Sequence, residues 1–339
     1  MKKKFKILPI FIPNWGCKAK CVFCNQREIT QSFAEIENEI ENKVKNCCGK
    51  IDELAFYGGS FTNISIEKQR RLLESVNGFV KSNLADIRIS AYPENLSDEN
   101  ILLLKEYNVR TVELGIQSLD ADVLSKSGRF YDISKVEYVS QKLKTNGIKL
   151  GHQIMIGLPE SSPEIEFATL KKIISISPDF LRIYPVVVVK NTELERMYER
   201  GEYKPLKIDE IIERCVKILN MIEPTKIKVI RIGLHSEINF TSNSLIDTGS
   251  YSPSLGEEVK SDFIFSRILK IIKNSCNFSK FNVKYHPSIL SLIFGKRNYY
   301  LEKYKKMNIN FIKTQDLSND EILVFDGDNT VFINKIRIP

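Results

Sequence analysis

The chain lacks any apolar stretch near its start that could cross a bilayer, since the run Ile7 to Ile12 is interrupted by Pro9 and closed by Pro13. The same run is too short for a secretory h-region, so the sequence places the protein in the cytoplasm with no membrane partner. It also lacks solenoid repeats and low-complexity tracts. At 42% apolar and 27% charged residues, it is too hydrophobic for a disordered chain. An even set of cysteines is missing too: the chain has seven, and three of them fall between positions 17 and 24. That pattern excludes an extracellular disulfide framework and points to a metal centre in a reducing compartment.

What is present is length enough, at 339 residues, for one large domain and a smaller one. Lysine and arginine number 50 against 42 aspartate and glutamate, and the net charge of +8 favours an anionic partner such as RNA. From Lys6 to Ile232, short β-branched runs alternate with stretches of helical period, which predicts βα units around a parallel sheet. The expected strands are Lys6 to Ile12, Glu53 to Tyr57, Arg88 to Ala91, Thr111 to Gly115, Lys149 to Ile156, Phe180 to Val188 and Lys228 to Ile232. Six or seven such units fit a complete or partial (βα) barrel, with chemistry at the C-terminal ends of the strands. An open doubly wound sheet fits the same periodicity.

After about residue 235 the rhythm changes. A Ser- and Gly-rich loop, Ser242 to Ser254, precedes helices expected at Leu255 to Lys273 and Leu292 to Lys306. Strands are expected at Phe281 to His286, Ile309 to Lys313, Ile322 to Phe325 and Val331 to Ile338, with a hairpin turn at Asp326 to Asn329. The division is therefore a core over residues 1–235 and an α+β extension over 236–339.

Cys17, Cys21 and Cys24 follow the first expected strand directly, which sets three thiolates on a loop at the catalytic face. Three sulfurs would leave one iron of a [4Fe–4S] cluster open to another molecule. Structural zinc wants four closed ligands, and no second close pair or neighbouring histidine completes that set. Further glycines and polar groups sit at later strand exits: Gly58-Gly59-Ser60-Phe61 after the second, Glu113 and Gly115 on the fourth, Gln153 on the fifth, Arg182 on the sixth. A Gly pair lets a ligand approach the backbone closely or simply makes a tight turn. Glu113, among apolar neighbours, needs a partner, which a ligand or a structural salt bridge would supply. His152, His235 and His286 read as structural histidines.

These motifs resemble the radical SAM superfamily, whose hallmark is three cysteines spaced by three and two residues with an aromatic, here Phe23, before the last. The wording is similar to the coproporphyrinogen-oxidase-like and Elongator-catalytic-subunit-like branches, over about residues 5 to 235. The resemblance implies a partial (βα)6 TIM-like barrel with a small C-terminal α+β appendage. It implies one [4Fe–4S] cluster on Cys17, Cys21 and Cys24 and reductive cleavage of S-adenosylmethionine to a 5′-deoxyadenosyl radical. Gly58, Gly59, Ser60 and Phe61 would bind the methionine amino group, Glu113 would contact the cofactor, Gln153 would meet the ribose and adenine, and Arg182 would reach the carboxylate. An electron donor such as a flavodoxin or ferredoxin is implied as well.

Departures from relatives work by exclusion. The length argues against a fused acetyltransferase domain, Gln26 stands where coproporphyrinogen oxidases carry a further cysteine, and no second three-cysteine domain accompanies the first. Cys47, Cys48, Cys215 and Cys276 are scattered and read as core or incidental. Gly295 to Tyr300 and Lys303 to Lys306 interleave basic and aromatic residues on one expected helix, which suits either an RNA backbone with stacked bases or a solvated face. The substrate readings are thus RNA, a small metabolite or tetrapyrrole, or none, with the chain a metal-binding scaffold.

Overall fold

The alternating segments of the first two hundred residues each form a strand, and each strand pairs in parallel with the next one in the chain. A computed structural model describes residues 5–12, 16–17, 19–25, 33–47, 49–94, 96–234, 245–275, 280–326 and 333–339. Its residues group into two units, Met1–Pro205 with Asn239–Thr248, and Leu206–Ile238 with Gly249–Pro339.

In the first unit, β1 (Ile7–Ile12), α1 (Phe33–Lys45), β2 (Glu53–Gly58), α2 (Ile66–Asn83), β3 (Asp86–Ala91), α3 (Asp98–Glu106) and β4 (Val109–Gln117) succeed one another. Then come α4 (Ala121–Lys126), α5 (Ser134–Thr145), β5 (Lys149–Ile156), α6 (Pro163–Ile176), β6 (Phe180–Pro185) and α7 (Glu193–Glu199). The strands lie in the order β1-β2-β3-β4-β5-β6, all parallel. A doubly wound sheet reverses its strand order at a switch point, and no reversal occurs here. The architecture is an α/β partial barrel of (βα) units, as the motif resemblance implies.

Period-two alternation divides the strand residues between two faces. Leu54, Phe56, Ile87, Ile89, Val112, Leu114, Leu150, Ile154, Leu181 and Ile183 point to the helices and are buried. The helices begin where local chemistry tells them to. Asp120 accepts from the N–H groups of Asp122 and Val123 at the start of α4, Ser97 and Asn100 cap α3 reciprocally, and Pro163 opens α6 behind Ser162. The opposite strand face carries Tyr57, Ser90, Gly115, Gln153, Met155 and Tyr184, all only half-buried. A polar, partly open inner face beside a sealed apolar outer face is the arrangement that leaves room for a ligand.

The second unit contains α8 (Ile208–Ile222), β7 (Lys228–Ile232), α9 (Leu255–Asn274), β8 (Phe281–Tyr285), α10 (Leu290–Phe294), α11 (Leu301–Lys305), β9 (Ile309–Lys313), β10 (Glu321–Asp326) and β11 (Ile333–Arg337). Its four-stranded sheet runs β11-β10-β8-β9, antiparallel except for β8 with β9. Phe263, Ile264, Val283, Tyr285, Ile293, Ile322 and Val324 form its core.

One expectation differs here. The helix foreseen over Leu292 to Lys306 is broken after Phe294, where Gly295, Arg297 and Asn298 all take positive φ. The break turns the aromatics inward: Tyr300 and Tyr304 are buried, and Tyr300 stacks on Phe265 at 4.5 Å. Of the three tyrosines in the basic–aromatic stretch only Tyr299 is exposed, so no row of rings is open to stacked bases. The turn residues 327–329, residues 242–244 of the Ser- and Gly-rich loop, Gln26, Cys48, His235 and Cys276 lie outside the described residues. Among the described residues no helix is long and apolar enough to cross a membrane.

Candidate functional site

The cysteine loop follows β1 and is fastened to three other strand-exit loops. Gly16 has φ +72°, and a Cβ there would stand 2.0 Å from the Ser60 carbonyl oxygen, so only glycine lets the loop rest against the segment after β2. Gly128, at φ +67°, gives the same close approach on the far side, where a Cβ would meet the Lys20 carbonyl oxygen at 2.5 Å. Between them the Val22 N–H donates to Ser127 at 3.0 Å, and the Leu194 N–H donates to the Val22 carbonyl at 2.9 Å. Phe23 packs with Val22 and Met155 against an apolar cluster that includes Val123, Leu158 and Leu194. Three anchors and an apolar floor hold the thiols at the mouth of the inner face.

Cys17 is open on one side, but the protein behind it pushes its thiol upward in pKa, as does the neighbouring Cys21 sulfur. Arg129 and the Ser60 N–H oppose that shift. Cys21 and Cys24 are half-buried, and the Cys24 N–H donates to the Cys21 carbonyl at 3.1 Å. Among the described residues no three His, Cys, Asp or Glu side chains converge to chelate one ion, so the fit to a cluster rests on donor set and surroundings.

The surroundings centre on Arg129, which the sequence reading did not single out. Its Nη1 donates to Cys21 Sγ at 3.3 Å and its Nη2 to the Gly115 carbonyl at 2.6 Å. The guanidinium lies over the Tyr92 ring at 4.8 Å and near that of Tyr131 at 5.9 Å. Burial opposes its charge, and the Cys21 sulfur with the two tyrosines holds its pKa above the ordinary value. No carboxylate pairs with it among the described residues. Other polar atoms in the strand-exit segments are also orphaned: Thr62 Oγ1, both amide atoms of Asn63 beside Gly16, Gln117 Oε1 and Arg129 Nε. Gln117 sits at φ +67° where β4 bulges against β5, a strained position of the kind that clusters at ligand sites. Orphaned polar groups beside thiols are what a bound polar cofactor would satisfy.

The expected cofactor residues fall into two groups. Gly58, at φ +100°, lies against the Phe11 ring, and buried Ser60 accepts the Tyr92 N–H at 2.9 Å, so this turn faces the cysteine loop. Gly59 beside it is buried. Phe61, by contrast, packs on Phe56 at 5.2 Å within the core. Deeper on the inner face, Glu113 pairs with Arg88 through one oxygen and lies 2.9 Å from Arg182 Nε through the other, though without hydrogen-bond alignment at that nitrogen. Arg88 also binds Glu53 at 2.7 Å, and Thr111 donates to Glu53 at 3.2 Å. The four charges alternate and cancel. Glu113 and Arg182 are therefore each other's partners here, and Gln153, the sheet neighbour of Arg182, is half-buried above them.

His152 faces the helices, is buried, and lies 3.0 Å from Ser140 Oγ; burial drives its pKa down to about 3. It is a neutral structural residue. Cys215 is buried on α8, as its apolar period requires.

Comparison with known proteins follows the same outline. A profile described as "Radical SAM superfamily" matches residues 12–170, and one described as "Radical_SAM C-terminal domain" matches residues 178–261. The tRNA uridine(34) acetyltransferase of Methanocaldococcus jannaschii is 30% identical over 223 residues, which is 60% of this chain and 40% of that protein. The match thus spans about two fifths of that curated relative's length. The solved structure of Methanocaldococcus infernus Elp3 with an N-terminal deletion superposes with a TM-score of 0.60 at 24% identity, over 80% of this chain and 64% of that one. Coproporphyrinogen III oxidase (HemN) of Escherichia coli gives 0.51 at 18% identity, over 64% and 52%. Both structures speak for the fold alone.

Proposed function

The chain belongs to the radical SAM superfamily, and we propose that Cys17, Cys21 and Cys24 hold one [4Fe–4S] cluster with an iron left open for S-adenosylmethionine. When bound, that pair supplies reductive cleavage of the sulfonium and a hydrogen-abstracting 5′-deoxyadenosyl radical, the electron coming from a flavodoxin- or ferredoxin-like donor.

The observation that carries this reading is Arg129, a buried cation whose nearest anion-forming partner is Cys21. Burying a charge without compensation is costly, and a thiolate-ligated cluster beside it would provide the missing negative charge. The remaining residues bind and orient. The turn at Gly58, Gly59 and Ser60 offers backbone groups to the amino acid end of the cofactor, and Gln153 offers an amide on the inner wall. Phe23 and its apolar cluster keep water from the loop. Glu113 and Arg182 act from below, through the paired network, as the supporting floor.

The substrate class that fits best is RNA. Its support is the net charge of +8 and the likeness to a tRNA-modifying relative. Anaerobically reconstituted protein given dithionite and S-adenosylmethionine should release 5′-deoxyadenosine and methionine, and absence of both would overturn the catalytic reading. Binding to total tRNA should weaken steeply with salt; undetectable or salt-insensitive binding would remove the RNA assignment.

A further inference from the structure

The segment that interrupts the helix expected over Leu292 to Lys306 forms, in the second unit, a turn whose outward side chains the fold does not consume. Gly295, at φ +71°, closes it, since a Cβ there would come within 2.8 Å of the Tyr300 ring. The Asn298 N–H donates to the Gly295 carbonyl at 3.1 Å, the Tyr299 N–H to Lys296 at 3.2 Å and the Tyr300 N–H to Phe294 at 2.9 Å. Tyr300 is anchored from behind, stacked on Phe265 with its hydroxyl donated to Asp262. Lys296, Arg297, Asn298 and Tyr299 are left exposed in succession. Arg297 and Asn298 hold φ of +54° and +59°, a strained backbone that persists only where its surroundings impose it.

Tyr299 is 63% exposed, although its ring is not loose. Lys303 Nζ lies 4.1 Å from the Tyr299 ring centroid, and 5.2 Å and 5.3 Å from those of Tyr300 and Phe265. The lysine steadies one side of the ring, and the rest of it faces solvent. Charge is uneven around it. Lys296 lies 3.9 Å from Glu258 and Lys305 is paired with Glu302 at 2.6 Å, whereas Arg297 and Lys303 have no carboxylate partner among the described residues. A protein interface wants contiguous apolar surface at its centre, and here a single ring stands among polar and cationic side chains. A held ring beside an uncompensated guanidinium suits an unpaired base and the phosphate next to it.

We propose that the Lys296–Tyr299 turn is a single-nucleotide contact for unpaired RNA, in which Tyr299 stacks on one base and Arg297 meets an adjoining phosphate. The contact rests on the RNA reading and gives the C-terminal unit a share in holding that substrate. One ring takes one base, so the contact adds affinity with little sequence preference.

The test is binding of total tRNA to the full chain over a series of salt concentrations. Tyr299→Ala should weaken binding about tenfold at each salt concentration, and Tyr299→Phe, which keeps the stacking face, should restore it. Arg297→Gln, at an exposed position with no partner to lose, should lower the slope of log affinity against log salt by about one. Absence of tRNA binding by the wild type overturns the RNA reading. Wild-type tRNA binding that Tyr299→Ala leaves unchanged, that Tyr299→Phe fails to restore, or whose salt slope Arg297→Gln leaves unchanged overturns only the contact. Weaker binding of flavodoxin to Arg297→Gln with tRNA binding intact would give the turn to an acidic protein and overturn the contact as well.

Discussion

Two buried arginine sites in one unit are wired in opposite ways. Arg88 and Arg182 sit deep on the inner face with Glu53 and Glu113 between them, so every charge there has its counter-charge. Arg129, at the strand exits, has a thiol, a backbone carbonyl and two aromatic rings, with no carboxylate among the described residues. The difference sets a network whose charges are matched within the protein against a buried cation of the kind that a bound anionic group would satisfy.

That contrast can be broken at its strongest point first. Glu113→Ala strands Arg182 and leaves Arg88 with Glu53 alone, and should cost about 3–5 kcal/mol in chemical denaturation, since it leaves buried charge uncompensated. A cost under about 1 kcal/mol would show that water already screens the network. Next in size is Gly16→Ala, where the positive φ and the 2.0 Å approach to Ser60 force the loop to move. It should lose about 1–3 kcal/mol and much of the iron taken up on reconstitution; full loading would mean the docking is dispensable.

Acid provides a third test, away from the site. His152 has a folded pKa of about 3, below its unfolded value near 6.5, so the unfolded chain binds the extra proton in between. Its contribution is full above about pH 6.5 and declines as pH falls toward 3, by up to about 1.4 kcal/mol per unit. His152→Gln should flatten that acid limb of the stability profile. The smallest stability effect belongs to Arg129→Met. Removing an uncompensated cation should move the metal-free midpoint by less than about 1 kcal/mol while lowering iron retention. A large loss of metal-free stability would place Arg129 with the scaffold after all.

Much of this was legible in the sequence, because apolar period and turn residues mark strands wherever both faces are committed. Lys149–Ile156, Lys228–Ile232 and Ile309–Lys313 coincide with their expected bounds. The helix expected over Leu292 to Lys306 failed because Gly295 and two residues at positive φ interrupt a pattern whose composition still looks helical. Sequence spacing also located the cysteine loop and the Gly58 turn. It could not reveal Arg129, which is 108 residues from Cys21 in the chain and meets it only through the sheet. The one local hint was Gly128 immediately before it, a glycine whose positive φ lets the cysteine loop approach. Nor could spacing decide between ligand and salt bridge for Glu113, because the choice depends on Arg88 and Arg182 arriving from β3 and β6. The parallel register of β3 to β6 brings those three together across the sheet.

The central claim is that three thiols, backed by Arg129, hold a single cluster. Iron and sulfide analysis after anaerobic reconstitution, on the wild-type chain and on Cys17→Ala, Cys21→Ala, Cys24→Ala and Cys47→Ala, tests it most directly. The wild type and Cys47→Ala should each carry about four irons per chain, and each of the other three variants should lose them. Retention of iron by any of those three, loss of iron from Cys47→Ala, or zinc in place of iron would contradict the assignment.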